Sequence, residues 1–579
     1  MATKTPNNKQ RQGPAVVRIG LMVAILVCVN VLASYFHAGI DLTQEKRFTL
    51  TGPTKKLLRD MREVAVIDVY LKGKFPAEIQ RMQEAVRERL ASFKDIAGNK
   101  LVVRFSDPFE GKNDKEQKQI AREMHQKGMR VLELSAQEDE EFLSKPFFPY
   151  ALVQYNGREM PIYLLDNPFG NAGAAEKVNY AESQLEYKFA NAINQLSKPQ
   201  RTSIAYIIGN GEDYGMKTLD MLLTLPNIYN LDTIDLKHVT YIPNAYDAII
   251  INRPTEPFSG PDKLKIDQYI MHGGHVLWNV NSMHATLDSL QNSPQFISLE
   301  YGLDLDDLLY KYGVRINNDI IEDMQCARLP RIVEGGKPQL FNWIYFPVFN
   351  PTADHPIVKN MDFILGQFSN SIDTIRSTEI KKTILLQSSK YSRVARSPVR
   401  ISLSMMSYPL RNEMFTNPYR PTAVLLESKF VSAYRGRLAP EYLRVLDSIR
   451  FPFKPMCDSE NRMIVASIGD VFSSDYNQKD GIIPMGYYKY EQAFYANKNF
   501  LLNCLEYLTD RSGVLEARSK DVKLRLLDIA RAKSEKTKWQ IVNVAIPIAA
   551  VLIFASCYLF IRKRRYEEKP AVKPSSENA

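Results

Sequence analysis

Ile204-Ala205-Tyr206-Ile207-Ile208-Gly209-Asn210-Gly211-Glu212 is the stretch on which the reading of the fold turns. Five apolar residues, too few for a helix and rich in β-branched side chains, run into a glycine turn, which predicts a buried strand. The pattern then repeats: a helix over about 215–224, strands at Leu231–Leu236 and Ala248–Ile251, a helix from Pro261 to Met271, and a Gly273-Gly274 turn into a strand at Val276–Val280. Strands alternating with helices predict a mostly parallel, doubly wound sheet of Rossmann-like or amidotransferase-like type. The proline-rich stretch from about 300 to 460 reads as a large insertion, with short strands such as Val399–Leu403 and Ala423–Leu426. Order returns at Met463–Ile468, followed by Gly469-Asp470, and in a helix over about 489–508 carrying Leu501, Leu505 and Leu508.

Upstream of Pro199 a second α/β pattern appears. A polar segment over 41–62 ends in a short helix at Lys55–Met61, and Val64–Leu71 reads as a strand. Pro76 opens a helix in which Ile79, Met82, Val86, Leu90 and Phe93 recur at helical spacing, and Leu101–Phe105 is the next strand. A polar helix over about 114–127 follows, then strands near Val131–Leu134, Ala151–Tyr155 and Met160–Leu164, the last two joined by the hairpin signal Asn156-Gly157. A helix with Leu185, Phe189, Ile193 and Leu196 closes the unit. The order βαβαββα is that of a thioredoxin-like domain, but there is no C-x-x-C dithiol, so the fold serves as a scaffold.

Two apolar stretches frame these units. Ile19–Phe36 is near the minimum length for a span, and Trp539–Ile561 reaches about 34 Å as a helix, enough for a hydrocarbon core of about 30 Å. Lys4, Lys9, Arg11 and Arg18 precede the first, and Arg562–Arg565 follow the second, which places both termini in the cytoplasm and the bulk of the chain outside. Lys520, Lys523, Arg525, Arg531, Lys533, Lys536 and Lys538 crowd the predicted outer side of the second span and pull the other way. For the first stretch an uncleaved anchor is favoured over a cleaved signal peptide, since no clean small-residue cleavage site follows it. The layout is therefore 1–18 tail, 19–36 span, 37–198 thioredoxin-like domain, 199–513 Rossmann-like domain with its insertion at about 300–460, 514–538 charged juxtamembrane helix, 539–561 span and 562–579 cytoplasmic tail.

The formal charge of +10 sits largely at the membrane flanks, where anionic headgroups account for it, so nucleic acid is not an expected partner. Cys28 and Cys557 lie in the spans, and Cys326, Cys457 and Cys504 read as buried thiols.

Motifs for chemistry are weak. Gly209-Asn210-Gly211-Glu212, with Asp235 ending the next strand, is part of a dinucleotide fingerprint, but the third glycine position holds Tyr214 and Gly215 comes one residue late. A tight turn open to interaction is the preferred reading of these four residues. His272 and His275 flank two glycines and lack a third ligand, and the acidic Asp304, Asp306 and Asp307 lack the rest of a calcium loop, so no metal is expected. No nucleophile elbow, Walker A or H-E-x-x-H is present. Neither an enzymatic role nor a cofactor is expected.

The segment Asp41-Leu42-Thr43-Gln44-Glu45-Lys46-Arg47-Phe48-Thr49-Leu50 resembles the opening of the GldG family of gliding-motility ABC-transporter auxiliary proteins. Val69-Tyr70-Leu71-Lys72-Gly73-Lys74-Phe75-Pro76, Gly209-Asn210-Gly211-Glu212, Gly273-Gly274 followed by Leu277-Trp278-Asn279-Val280-Asn281, Leu287-Asp288-Ser289-Leu290, Gly469-Asp470 and Asn499-Phe500-Leu501-Leu502-Asn503 resemble it too, in order and spacing. Asn210 departs from the family, where His is common. The resemblance implies a non-catalytic, substrate-binding-like subunit of the bacterial inner membrane that works with an ABC ATPase and an ABC-2 type permease. Asn30, Asn543 and Ser556 are polar within the spans and are candidates to face permease helices. A periplasmic scaffold without a transporter, and a periplasmic enzyme of amidotransferase-like fold, are the alternatives.

Overall fold

The computed structural model describes residues 20–28, 49–73, 75–127, 129, 131–138, 141–165, 174–291, 293–333, 336–477, 481–510, 512–519 and 535–566. Helix α1 (Gly52–Asp60) carries Pro53 in its first turn, where a missing N–H costs nothing, and buries Thr54 and Leu58. Strand β1 (Ala65–Val69) runs parallel to β2 (Leu101–Phe105), and α2 (Ala77–Ala97) connects them, burying Ile79, Met82, Val86, Leu90 and Phe93 as the helical spacing requires. Helix α3 (Asp114–Gln126) starts on a reciprocal cap between Asn113 and Glu116. The strand expected at Val131–Leu134 is longer, β3 (Leu132–Glu138), and pairs with β4 (Glu141–Phe147) in a hairpin apart from the sheet. Strands β5 (Tyr150–Tyr155) and β6 (Arg158–Tyr163) meet at Asn156-Gly157, whose φ values of 53° and 70° are both left-handed, as a tight hairpin turn of this kind demands. The sheet order is β2-β1-β5-β6, with β5 antiparallel to β1. Helix α4 (Ala174–Ser197) closes this unit with Leu185, Phe189, Ile193 and Leu196 buried.

The second sheet has seven strands. β7 (Ser203–Ile208), β8 (Asn230–Asp235), β9 (Ala248–Asn252) and β10 (His275–Asn279) come first, with α5 (Leu219–Thr224) after β7 and α6 (Gly260–Met271) after β9. β11 (Lys381–Gln387), β12 (Pro421–Ser428), β13 (Asn461–Ala466) and α7 (Asn497–Thr509) complete it. The order is β11-β12-β13-β10-β9-β7-β8. From β13 to β8 every pairing is parallel, whereas β11 and β12 are antiparallel additions. Both faces are covered: Tyr206, Ile250, Leu277 and Ile464 pack with Phe500, Leu501 and Leu505 of α7, while Ile249, Ile251, Trp278 and Val465 pack with Ile266, Tyr269 and Ile270 of α6. Burial on two faces is why β9 and β10 read as unbroken apolar runs.

Three expectations are corrected. The stretch 300–460 is not wholly an insertion, because β11 and β12 within it extend the main sheet and residues such as Leu308, Tyr312, Ile357 and Ile364 pack into that sheet's two cores; another part forms a lobe around Trp343, Tyr345, Phe346 and Ile401. The helix expected from 489 begins at Asn497, since Tyr487–Tyr488 and Ala493–Phe494 form a small antiparallel pair ahead of it. The charged helix expected over 514–538 is not one solvated rod: Val514–Ser519 is a short 3-10 helix with Val514, Leu515, Ala517 and Arg518 buried. Residues 520–534 of that stretch lie outside the described residues.

Taken by itself, the carboxyl-terminal helix α8 (Lys536–Tyr566) is long and apolar enough to cross a membrane, with Pro547 inside it. Of the first expected span, only 20–28 is described, as helix; Asn30 and the remainder lie outside the described residues.

Candidate functional site

The carboxyl ends of the parallel strands are where open α/β sheets place ligands, at the point where strand order reverses. Here that point lies between β7 and β9, which are neighbours although β8 intervenes in sequence. The Gly209-Asn210-Gly211-Glu212 turn follows β7 directly. Gly209 and Gly211 have φ of 118° and 76°, values that disfavour any side chain. Asn210 is fully buried: its N–H donates to Glu212 Oε2 (2.7 Å), its Nδ2 donates to the Pro257 carbonyl (3.2 Å), and its carbonyl accepts from the N–H groups of Thr255 (3.0 Å) and Glu256 (2.9 Å). A Cβ on Gly211 would collide with Thr255 Oγ1. The turn is thus stitched to the loop after β9. Burial pushes the Glu212 carboxyl up to about 7.

Beside the turn is an ion cluster, buried at its cation and half-buried at its carboxylates, that sequence reading missed. Arg253, immediately after β9, holds a left-handed φ of 54°. Its guanidinium pairs with Asp213 (2.6 Å) and with Asp470, so three loops from three strand ends meet on one cation. Its N–H donates to the Asn279 carbonyl (2.7 Å). Asn279 Nδ2 in turn donates to Asn252 Oδ1 (2.8 Å) and to the Gly469 carbonyl (3.0 Å), and the Gly469 N–H donates to Asn281 Oδ1 (2.9 Å). The only hint in the sequence is positional: Arg253 and Asp470 each follow an apolar run.

Beyond Asp470 the strand-end loops and the lobe enclose a cavity of about 710 Å³, bordered by Lys217, Leu287, Asp470, Ser474, Tyr487 and Lys489 among others. Lys489 pairs with Asp475 at 3.1 Å. No cysteine or histidine is among the described residues lining it. The cavity offers hydrogen-bonding and aromatic surface, and in its wall the Ser473 hydroxyl donates to Asp470 Oδ1 (3.5 Å).

His272 and His275 bond to different backbone carbonyls. Nδ1 of His272 contacts the Gln268 carbonyl (2.8 Å), and Nδ1 of His275 contacts the Arg462 carbonyl (3.3 Å). Asp304 and Asp307 pair with Lys263 at 3.1 and 3.0 Å, rather than standing alone in solvent. Asn543 and Ser556 both lie on α8, but at about 100° per residue they point about 140° apart and do not share one face.

A second cluster joins the two sheets' cores. Tyr187 on α4 donates to Glu506 on α7, and Arg518 donates to Asn503 on α7. Val514 belongs to the first core and Leu515 to the second. Gly513 packs against Pro53 of α1, and the Thr51 N–H donates to Glu186 Oε1 (2.6 Å). The two ends of the α/β body, near residues 51 and 519, therefore meet at α1.

This doubly covered sheet, with its lobe and strand-end cluster, lies within the region that defines a family. The chain belongs to the family described as an ABC-type uncharacterized transport system, whose model matches residues 201–504, more than half of the chain. It is thus an auxiliary protein associated with ABC-type transport. A domain of unknown function, DUF7088, matches residues 44–154. An uncharacterized protein of Borreliella burgdorferi is 23% identical over 94% of this chain and 97% of its own length. Among solved structures, the mmIFT52 N-terminal domain aligns with 53% of this chain and 98% of its own at 11% identity and a TM-score of 0.27, too low a score to carry an argument.

Proposed function

We propose that this protein is a non-catalytic, membrane-anchored auxiliary subunit of an ABC-2 type transporter, of the GldG kind tied to gliding or envelope export. In this reading it crosses the bacterial inner membrane at both apolar stretches, keeps both termini in the cytoplasm, and presents a thioredoxin-like domain and a Rossmann-like domain to the periplasm. An ABC ATPase supplies energy and a permease the pathway, because the chain carries no ATP-binding motif.

The observation that supports this most is the meeting of the body's two ends at α1. Gly513 against Pro53, with Val514 buried in the first core, brings the chain leaving the second domain back beside its entry point. A body whose entry and exit adjoin suits attachment by two spans to one membrane. The cavity beside Asp470 is then where cargo or a cargo carrier is engaged.

The test is co-purification of the full chain with an ATPase and a permease, and its loss when α8 is replaced by a poly-leucine helix of equal length. Recovery of neither subunit with the native chain would favour a scaffold without a transporter.

A further inference from the structure

The exposed side of α1 is strongly basic. Lys56 and Arg59 are exposed, away from the buried Thr54 and Leu58, with Lys55 half-buried beside them, and none of the three is in an ion pair among the described residues. Lys100 is committed elsewhere: its Nζ donates to the carbonyls of Arg59 (3.3 Å) and Met61 (2.6 Å), closing the helix end. Asp60, exposed at the last position of the helix, and Glu63 beyond it are the acids nearby, and Arg62 adds a further exposed cation.

Position gives this charge a meaning. Thr51, the residue before α1, continues the chain from the first apolar stretch. Gly513, which leads into Val514–Ser519 and from there toward α8, rests on Pro53 of the same helix. Among the described residues, helix α1 thus touches both ends of the body, as does α4 through Glu186 and Tyr187. The sequence running on from Ser519 is itself basic, with seven lysines and arginines over 520–538 against Asp521, Asp528 and Glu535.

We propose that the Lys55, Lys56 and Arg59 face of α1 is a docking surface for anionic phospholipid headgroups, which holds the body against the membrane in one orientation. This rests on the reading that the apolar stretches are membrane spans. It also supplies a reason for basic residues on the outer side of the second span, where the orientation rule alone leaves them unexplained. Each lysine or arginine brought to an anionic surface favours the docked state by about fivefold.

The experiment uses the full chain in nanodiscs, with a photoreactive benzophenone amino acid at position 56 and, as a control, at position 442, an exposed tyrosine on a separate helix. The expected result is a lipid adduct from position 56 in phosphatidylglycerol-rich discs, reduced at least about fivefold in phosphatidylcholine discs or when Lys55→Gln and Arg59→Gln are combined. Position 442 should give no lipid adduct in any disc. Equal adduct in both lipids, no adduct at 56, or adduct to a protein subunit instead of lipid would overturn the proposal. If the chain fails to enter nanodiscs at all, the reading of the spans fails instead, and alkaline extraction from native membranes reads that separately.

Discussion

Tyr187 and Glu506 are joined by a buried hydrogen bond, phenol to carboxylate, that ties the last helix of the first α/β unit to the last helix of the second. Arg518 lies in the same cluster and stacks its guanidinium 5.6 Å from the Tyr187 ring centroid. Removing the phenol leaves the carboxyl buried without its donor, which costs about 1–3 kcal/mol. Tyr187→Phe is expected to lower the unfolding midpoint in a thermal or denaturant melt, and an unchanged midpoint would show that the junction contributes nothing.

Stability should fall as pH rises from mildly acidic to neutral. Burial pushes the carboxyls of Glu506 and Glu212 up to about 7, against an ordinary glutamate value of 4.5. Between those values the folded chain holds protons that the unfolded chain releases, so this contribution is complete below pH 4.5 and is lost as pH passes 7. Melting temperature followed across this window should decline, and the combined Glu212→Gln and Glu506→Gln variant should flatten the decline. A slope identical to that of the native chain would contradict the assignment.

Arg253 is held between Asp213 and Asp470 although its backbone is left-handed. Removing Arg253 takes the charged donor from two half-buried carboxylates that water can still reach, which costs about 1–3 kcal/mol. Arg253→Ala is therefore expected to lower stability by about that much. Arg253→Gly, which relieves the backbone but also loses the cation, should recover only a minor part. Equal stability of Arg253→Gly and the native chain would mean that the backbone, not the ion cluster, dominates.

The three cysteines of the body should be inert in the folded state. Burial pushes the Cys326 thiol up to about 12, the Cys457 thiol up to about 11 and the Cys504 thiol well above its ordinary value, so thiolate is scarce at neutral pH. An impermeant maleimide should label a cysteine introduced at Tyr442 while leaving these three unmodified until denaturant is added. Mass spectrometry that finds Cys457 or Cys504 labelled at the same rate would show a looser core.

Local pattern was enough to determine most of the elements. The 3.6-residue spacing of Ile79 to Phe93, the Asn156-Gly157 turn and the apolar runs of β7, β9 and β10 are decided by neighbours in sequence, so they are legible without a structure. The same holds for the length and apolarity of α8. Tertiary structure alone decided that β11 and β12 join the main sheet, because strand pairing depends on partners far along the chain. It decided likewise that Val514–Ser519 turns inward, since a short segment of alternating apolar and charged residues reads as surface until a core is there to receive Val514. The pairing of Arg253 with Asp213 and Asp470, and of Tyr187 with Glu506 and Arg518, was invisible for the same reason. Each is an ordinary polar residue in sequence, and only burial, which removes water and leaves the other charges as partners, makes it part of a site.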